Sequence, residues 1–296
     1  MPLSPTSPSL LRNLLIALIA GAGLAALALF LKDQLDYAIR VPEDVEHKLR
    51  LPLLGVVPTA NAKDPEADLL DPKSPVSEAY NSLRGSLLYA TTAGLPQVML
   101  VTSAQPAEGK STSAYAIAAG LARMGRRSVQ VDADLRRPSV HKRIGYDNQR
   151  GLTSLLTSSD PVAGALVASD QPGLALLPSG PVPPSPTELL SSTRMEQVVL
   201  ELAKSFDVVV IDSPPILGLA DSPLLSALVD GVIFVVEADR GHRGALKTAL
   251  RRLRAMRPVL LGAVLTKFDP TRAGNRYSEY YGYQYYQYDS VGGTKA

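Results

Sequence analysis

The chain has no cysteine, so disulfides and thiol chemistry are excluded, and redox logic says nothing about its compartment. It has three histidines, His47, His141 and His242, too far apart in sequence for a metal-ligand spacing, which argues against a zinc site. Charge of either sign is not in excess. A formal net charge of +2 gives no global reason to expect nucleic acid as a partner. Internal repeats are absent. At 296 residues, with ordinary apolar and charged fractions, there is room for one sizeable domain plus extras.

Two local absences carry more. LLIALIAGAGLAALALFL, residues 14–31, has no charged residue. As a helix it is about 27 Å long against a hydrocarbon core of about 30 Å. Its Gly and Ala residues suit close approach of a second membrane helix. No small-residue cleavage site clearly follows, so a single membrane span is expected rather than a signal peptide. Basic residues after it, at Lys32, Arg40, Lys48 and Arg50, favour a cytoplasmic C-terminal side. The other absence is in YSEYYGYQYYQY, residues 277–288, which holds seven of the chain's twelve tyrosines and no Val, Ile or Leu. Nothing there anchors a core. The segment is an aromatic-rich sticky tail or a multi-site substrate.

Between these lie short apolar runs: LPLLGVVP (51–58), VMLVT (98–102), SVQVD (128–132), DVVVID (207–212), GVIFVV (231–236) and LGAVLT (261–266). Helix-like stretches alternate with them, such as SEAYNSLRGSLLYA (77–90) and STSAYAIAAGLARMG (111–125), the latter stopped at Gly125. Short buried strands alternating with helices predict an α/β fold, a mainly parallel sheet covered on both faces. Residues 158–187 read as loop, with one strand at 174–178. The expected segments are a Pro/Ser-rich lead (1–13), the membrane helix (14–31), a connector (32–50), the folded domain (51–269) and a flexible tail (270–296).

TSAQPAEGKSTS, residues 102–113, follows a strand and precedes a helix, the context of a phosphate-binding loop. Ala104 stands at the usual first glycine. Gly109 lets the backbone approach phosphate, and the N–H groups from Glu108 to Thr112 face the anion. Lys110 is expected exposed on the loop, reaching the β- and γ-phosphates, with the Ser111 hydroxyl on Mg2+. Asp132 and Asp134 end one strand and Asp212 ends another, the edge where such sheets bind ligands. Asp212 reads as the acid that orients Mg2+. The leftover pair, Asp132 and Asp134, offers an acceptor for the proton of an attacking hydroxyl.

The order A-x4-G-K-S-T, V-D-A-D-L-R-R-P, V-V-V-I-D-S-P-P resembles the bacterial tyrosine kinases of polysaccharide co-polymerase systems. SEAYNSLRGSL, PPSPTELLSS (183–192) and the terminal tyrosines extend the likeness to nearly the whole chain. The HRD and DFG signatures of eukaryotic-type kinases are missing. The resemblance implies a P-loop NTPase fold and a membrane-anchored autokinase in the bacterial inner membrane, its kinase domain cytoplasmic, using ATP and Mg2+ and regulating polysaccharide assembly and export. It implies Asp132 as catalytic base, with Lys110 and Asp134 beside it, and Ser111, Asp132 and Asp212 around the metal. The nucleotide set is Gln105, Glu108, Gly109, Lys110, Ser111, Thr112, Arg136 and Thr266. The phosphoacceptors are Tyr277, Tyr280, Tyr281, Tyr283, Tyr285, Tyr286 and Tyr288. Self-association is implied through Glu78 and Arg84, with Asn81 where the family's ring-forming helix carries a second arginine. The earlier membrane helix and large periplasmic domain of full-length relatives have no counterpart here.

Related ATPases of the ParA/MinD class carry a signature lysine where this chain has Gln105. TKFD (266–269) resembles a guanine-reading motif, with Thr266 in place of its asparagine. A membrane scaffold that only senses nucleotide is the remaining alternative. The basic helix 247–257 presents Lys247, Arg251 and Arg254 on one solvated face.

Overall fold

The computed structural model describes residues 9–35, 38–60, 65–240 and 243–271. The tyrosine cluster lies outside them. The chain divides into two units, Met1–Tyr37 and Ala38–Ala296.

In the first unit, helix α1 (Leu10–Leu35) contains the apolar window Leu10–Ala28, with a mean hydropathy of 2.0 and none of it buried. It is long and apolar enough to cross a membrane.

The second unit is built on eight strands: β1 (Leu53–Pro58), β2 (Val98–Ser103), β3 (Ser128–Asp132), β4 (Val167–Ala168), β5 (Leu174–Leu177), β6 (Val208–Asp212), β7 (Gly231–Glu237) and β8 (Leu260–Phe268). Their order is β1-β8-β7-β2-β6-β3-β5-β4, and every pairing is parallel except β4 with β5. Strands β2, β3 and β6 are buried at every residue. That is why β2 and β6 read as near-continuous apolar runs rather than alternating ones, while β3 buries Ser128, Gln130 and Asp132 along with its valines. Two apolar clusters result. One gathers Leu83, Leu87, Ile117 and Leu121 from helices α2 (Pro75–Leu88) and α3 (Lys110–Arg123). The other gathers Val198 and Leu202 of α4 (Thr193–Ser205) with Leu246 and Leu250 of α5 (Arg243–Arg254).

Helix α2 opens on Ser74, whose hydroxyl accepts from the Ser77 N–H, with Pro75 at the first helical position. Helix α3 ends before Gly125, which turns the chain at φ +82°.

The folded unit begins at Ala38, ahead of the expected Leu51. The connector reading fails for residues 38–50 because Ile39, Val45 and Leu49 are buried in the core. Their polar neighbours face out: Val45–Leu49 is a π-helix, and the Lys48 ammonium bridges Asp44 at 2.9 Å. The loop reading of 158–187 misses the short antiparallel strand β4, two residues paired to β5.

Candidate active site

The site forms where β2, β3 and β6 end together. β2 stops at Ser103 and the chain reverses through 104–109 into α3. Ala107 and Gly109 take positive φ, +67° and +90°. At Gly109 the conformation selects glycine rather than the space, since an added Cβ meets Thr266 only at ordinary contact distance. The loop is tied down from behind. The Glu108 carboxylate accepts from the Gln105 N–H at 2.7 Å, and the Ser103 hydroxyl donates to the Gln105 carbonyl at 2.8 Å. The Thr266 hydroxyl donates to the Glu108 carbonyl at 2.7 Å, and the Lys267 ammonium to the Ala107 carbonyl at 2.8 Å. These bonds occupy loop carbonyls. The first-turn N–H groups of α3, around Ser111 and Thr112, lack intrahelical acceptors and form an anion seat. Glu108 turns its side chain inward, fully buried, so only its backbone can reach a nucleotide. Burial pushes its carboxyl up to about 7.

Lys110 is not the exposed side chain expected. It is 8% exposed and lies among acids, its ammonium 2.8 Å from Asp134 and 3.6 Å from Asp212. The reason is register: Asp132 and Asp212 sit opposite each other on neighbouring strands, and the lysine at the start of α3 neutralises the acidic edge they make. Burial alone would lower its pKa, but Asp212 and Asp134 more than offset this and raise it. The Ser111 hydroxyl lies 3.3 Å from the same ammonium.

The three acids differ in their ties. One Asp132 oxygen accepts from the Ser139 and Val140 N–H groups at 2.8 and 2.9 Å, while the other meets only the Asp134 N–H at 3.3 Å. Burial first, then the Asp212 charge, raises its pKa. Asp134 binds Lys110 and accepts from the Arg137 N–H at 3.0 Å. Asp212 is fully buried, and among the described residues neither of its oxygens has a hydrogen bond of normal geometry, Lys110 and Ser111 being its nearest polar neighbours. Burial raises its pKa too, with Lys110 opposing. Two unsatisfied carboxylate oxygens beside the Ser111 hydroxyl fit a hydrated Mg2+, which keeps waters and borrows phosphate oxygens. Among the described residues no three His, Cys, Asp or Glu close on one point, so no all-protein metal cage is present.

Arg136 points elsewhere. Its guanidinium holds the buried Asp221 carboxylate at 2.7 Å and the Thr187 hydroxyl at 2.9 Å. Asp221 and Thr187 are site-bordering residues that sequence reasoning missed. Both sit in short helices, in ADSP and in PTELL, with no periodicity to mark Asp221 as buried or Thr187 as its half-buried neighbour. Glu78 and Arg84 are apart from this cluster, on α2. Glu78 is exposed and accepts from the Asn81 amide at 3.1 Å; Arg84 donates to the Gly120 carbonyl at 3.2 Å, within its own domain.

A strand, a phosphate loop and a helix, faced by acids at the ends of the neighbouring strand β6 and of β3 beyond it, define a P-loop nucleotide-binding domain; residues 98–257 match the family described as an AAA domain. The tyrosine-protein kinase YwqD of Bacillus subtilis (strain 168) is 35% identical over 218 residues, 74% of this chain and 89% of that one. The tyrosine-protein kinase named EpsB of Ralstonia solanacearum is 28% identical over 312 residues, all of this chain and 41% of that one. The solved kinase domain of the Escherichia coli tyrosine kinase ETK superposes with a TM-score of 0.73 at 25% identity, over 78% of this chain and 95% of that domain. The chain belongs to the bacterial tyrosine kinases, the P-loop type. It spans most of one relative and about two fifths of the other.

Proposed function

We propose that this protein is a membrane-anchored tyrosine autokinase that transfers the γ-phosphate of ATP to its own terminal tyrosines and so regulates assembly and export of a surface polysaccharide. The observation that carries the catalytic part is the Lys110–Asp134–Asp212 cluster over the phosphate loop, with the Asp212 oxygens unsatisfied. The polysaccharide part rests on the family resemblance, as does the placement of helix α1 in the inner membrane.

In this reading the α3 N–H groups and Lys110 bind the β- and γ-phosphates, and Ser111 and Asp212 hold Mg2+. The metal supplies charge neutralisation on the phosphate oxygens. A tyrosine hydroxyl attacks the γ-phosphorus, the bond to the bridging oxygen breaks, ADP leaves, and the phenolic proton passes to a carboxylate. Asp132 is the proposed acceptor. Its weakly tied oxygen is available, and a carboxyl raised toward neutrality suits proton transfer at cellular pH. Asp134 holds Lys110 in place. Adenine is the base: Thr266 has spent its hydroxyl on the Glu108 carbonyl and has no amide with which to read guanine.

Incubation with Mg-ATP followed by phosphosite mapping tests the reading. Label is expected among Tyr277, Tyr280, Tyr281, Tyr283, Tyr285, Tyr286 and Tyr288, and ATP should outcompete GTP. A chain that binds nucleotide and labels no tyrosine is a scaffold. Asp132→Asn should bind ATP and transfer nothing; loss of binding would make Asp132 a metal or structural residue instead.

A further inference from the structure

Away from the phosphate loop, a cavity of about 210 Å³ opens on the α2/α3 face of the sheet, between those helices, the helix Val140–Arg143 and the turn at 169–171. Its walls divide by chemistry. Leu69 and Ile144 are apolar, Tyr115 presents an aromatic face, and Arg123 and Arg143 bring two guanidiniums; Asp170 stands at the rim. The Arg143 guanidinium lies over the Tyr115 ring, 4.1 Å from its centroid, which holds it flat against the wall.

Positive charge is crowded beside the cavity. Arg84, outside its lining, approaches Arg123 from α2, and its pKa is lowered, first by burial and then by the Arg123 charge, with Glu78 opposing. Among the described residues neither Arg84 nor Arg123 has an ion-pairing carboxylate. A guanidinium with no carboxylate partner at the edge of a partly apolar hollow suits an anion. Guanidinium forks match phosphate oxygens, and an apolar and aromatic wall matches a ring. The cavity is small beside the roughly 300–1,000 Å³ of sites for drug-sized molecules, and takes one side chain rather than a whole cofactor.

We propose that this cavity is a docking site for an aryl phosphate, the phosphotyrosine side chain presented by the Tyr277–Tyr288 segment of this chain. The inference rests on the autokinase reading for its ligand. The nearly neutral tail has little to offer two guanidiniums before transfer, whereas each phosphate brings about −1.5 to −2 charge. The site is thus selective for product over substrate, and draws phosphorylated tails out of the catalytic cleft and onto α2 and α3.

The test uses the full, phosphatase-treated chain without nucleotide and synthetic 277–288 peptides followed by fluorescence anisotropy. The phosphorylated peptide should bind at least tenfold more tightly than the unphosphorylated one. Phenyl phosphate should compete better than inorganic phosphate, and Mg-ADP should not compete. Arg143→Ala should lose at least tenfold; Arg123→Glu, at an exposed position that cannot unfold the domain, should lose as much. Equal binding of the two peptides, unchanged binding in Arg123→Glu, or displacement by Mg-ADP each overturns the site. Because the phosphopeptides are synthetic, a chain that fails to label its own tail defeats the autokinase reading and leaves this measurement intact.

Discussion

At the scale of single residues, burial decides what the charged groups do. Lys110 was legible as a phosphate ligand, since GKS after a strand says so, but its burial was not, because that depends on which strands lie beside it. Lys110→Met removes the ammonium that pairs with both Asp134 and Asp212. It should abolish transfer and cost about 3 kcal/mol, the usual scale for breaking a buried pair. The carboxylates left behind can take up protons, so the deficit should be largest at pH 8 and smaller at pH 5 in urea denaturation. A variant as stable as the parent at pH 8 would contradict the buried geometry. Glu108 gives a second pH effect. Folded, it keeps its proton up to about 7; unfolded, it loses it near the ordinary glutamate value. Between the two the folded state binds more protons, so stability falls as pH rises and the contribution is gone above the folded value. Glu108→Gln keeps the acceptor for the Gln105 N–H. Its melting temperature should decline less steeply than the parent's between pH 5 and 8, by up to one proton's worth.

Among the elements, those with a full period were readable from the sequence. β2, β6 and β7 are near-continuous apolar runs, and α2 and α3 carry apolar residues at helical spacing. The segment 38–50 was not, because its buried residues are few, scattered among charges, and wound partly in a π-helix whose period no amphipathic pattern marks. It is fastened by α5: the Arg254 guanidinium donates to the Leu49 and Arg50 carbonyls at 3.3 and 3.4 Å. The solvated basic face of α5 therefore has a structural member. Arg254→Ala should loosen the 45–50 backbone by about 1 kcal/mol. Hydrogen exchange should rise there and not in β2 or β6. Asp221 was missed for a similar reason, since an ion pair between distant short motifs leaves no periodic trace.

For the whole molecule the question is which copy presents the tyrosines. A tail rooted at β8, beside its own site, is constrained in how it can offer seven phenols in line with the γ-phosphate. On the proposed membrane-anchored autokinase reading, copies share a membrane and meet at high effective concentration, and transfer is expected between molecules. Mixing a Lys110→Met chain, folded at the assay temperature, with an active chain lacking residues 270–296 should label the Lys110→Met tail. No label there would sink the trans model. Among the described residues the exposed Glu78 has a hydrogen bond to Asn81 and a charge contact with Arg84, while Arg84 also donates to the Gly120 carbonyl. Charge reversal at Glu78 should therefore disturb sedimentation more than substitution of Arg84 does.

The pairing of β1 with β8 has a consequence in time. β1 takes its place in the sheet only by bonding to β8, and the Thr59 N–H closes the same seam onto the Phe268 carbonyl. A ribosome delivers β8 on the order of 200 residues after β1, roughly 10–40 s at ordinary rates of synthesis. Throughout that interval β1 has its strand partner still unmade. Nascent chains halted at residue 259 should be cut readily by protease within 50–60, and chains released past 271 should not. The last strand to be synthesised is what closes the first, so a ribosome stalled late leaves the sheet open along β1.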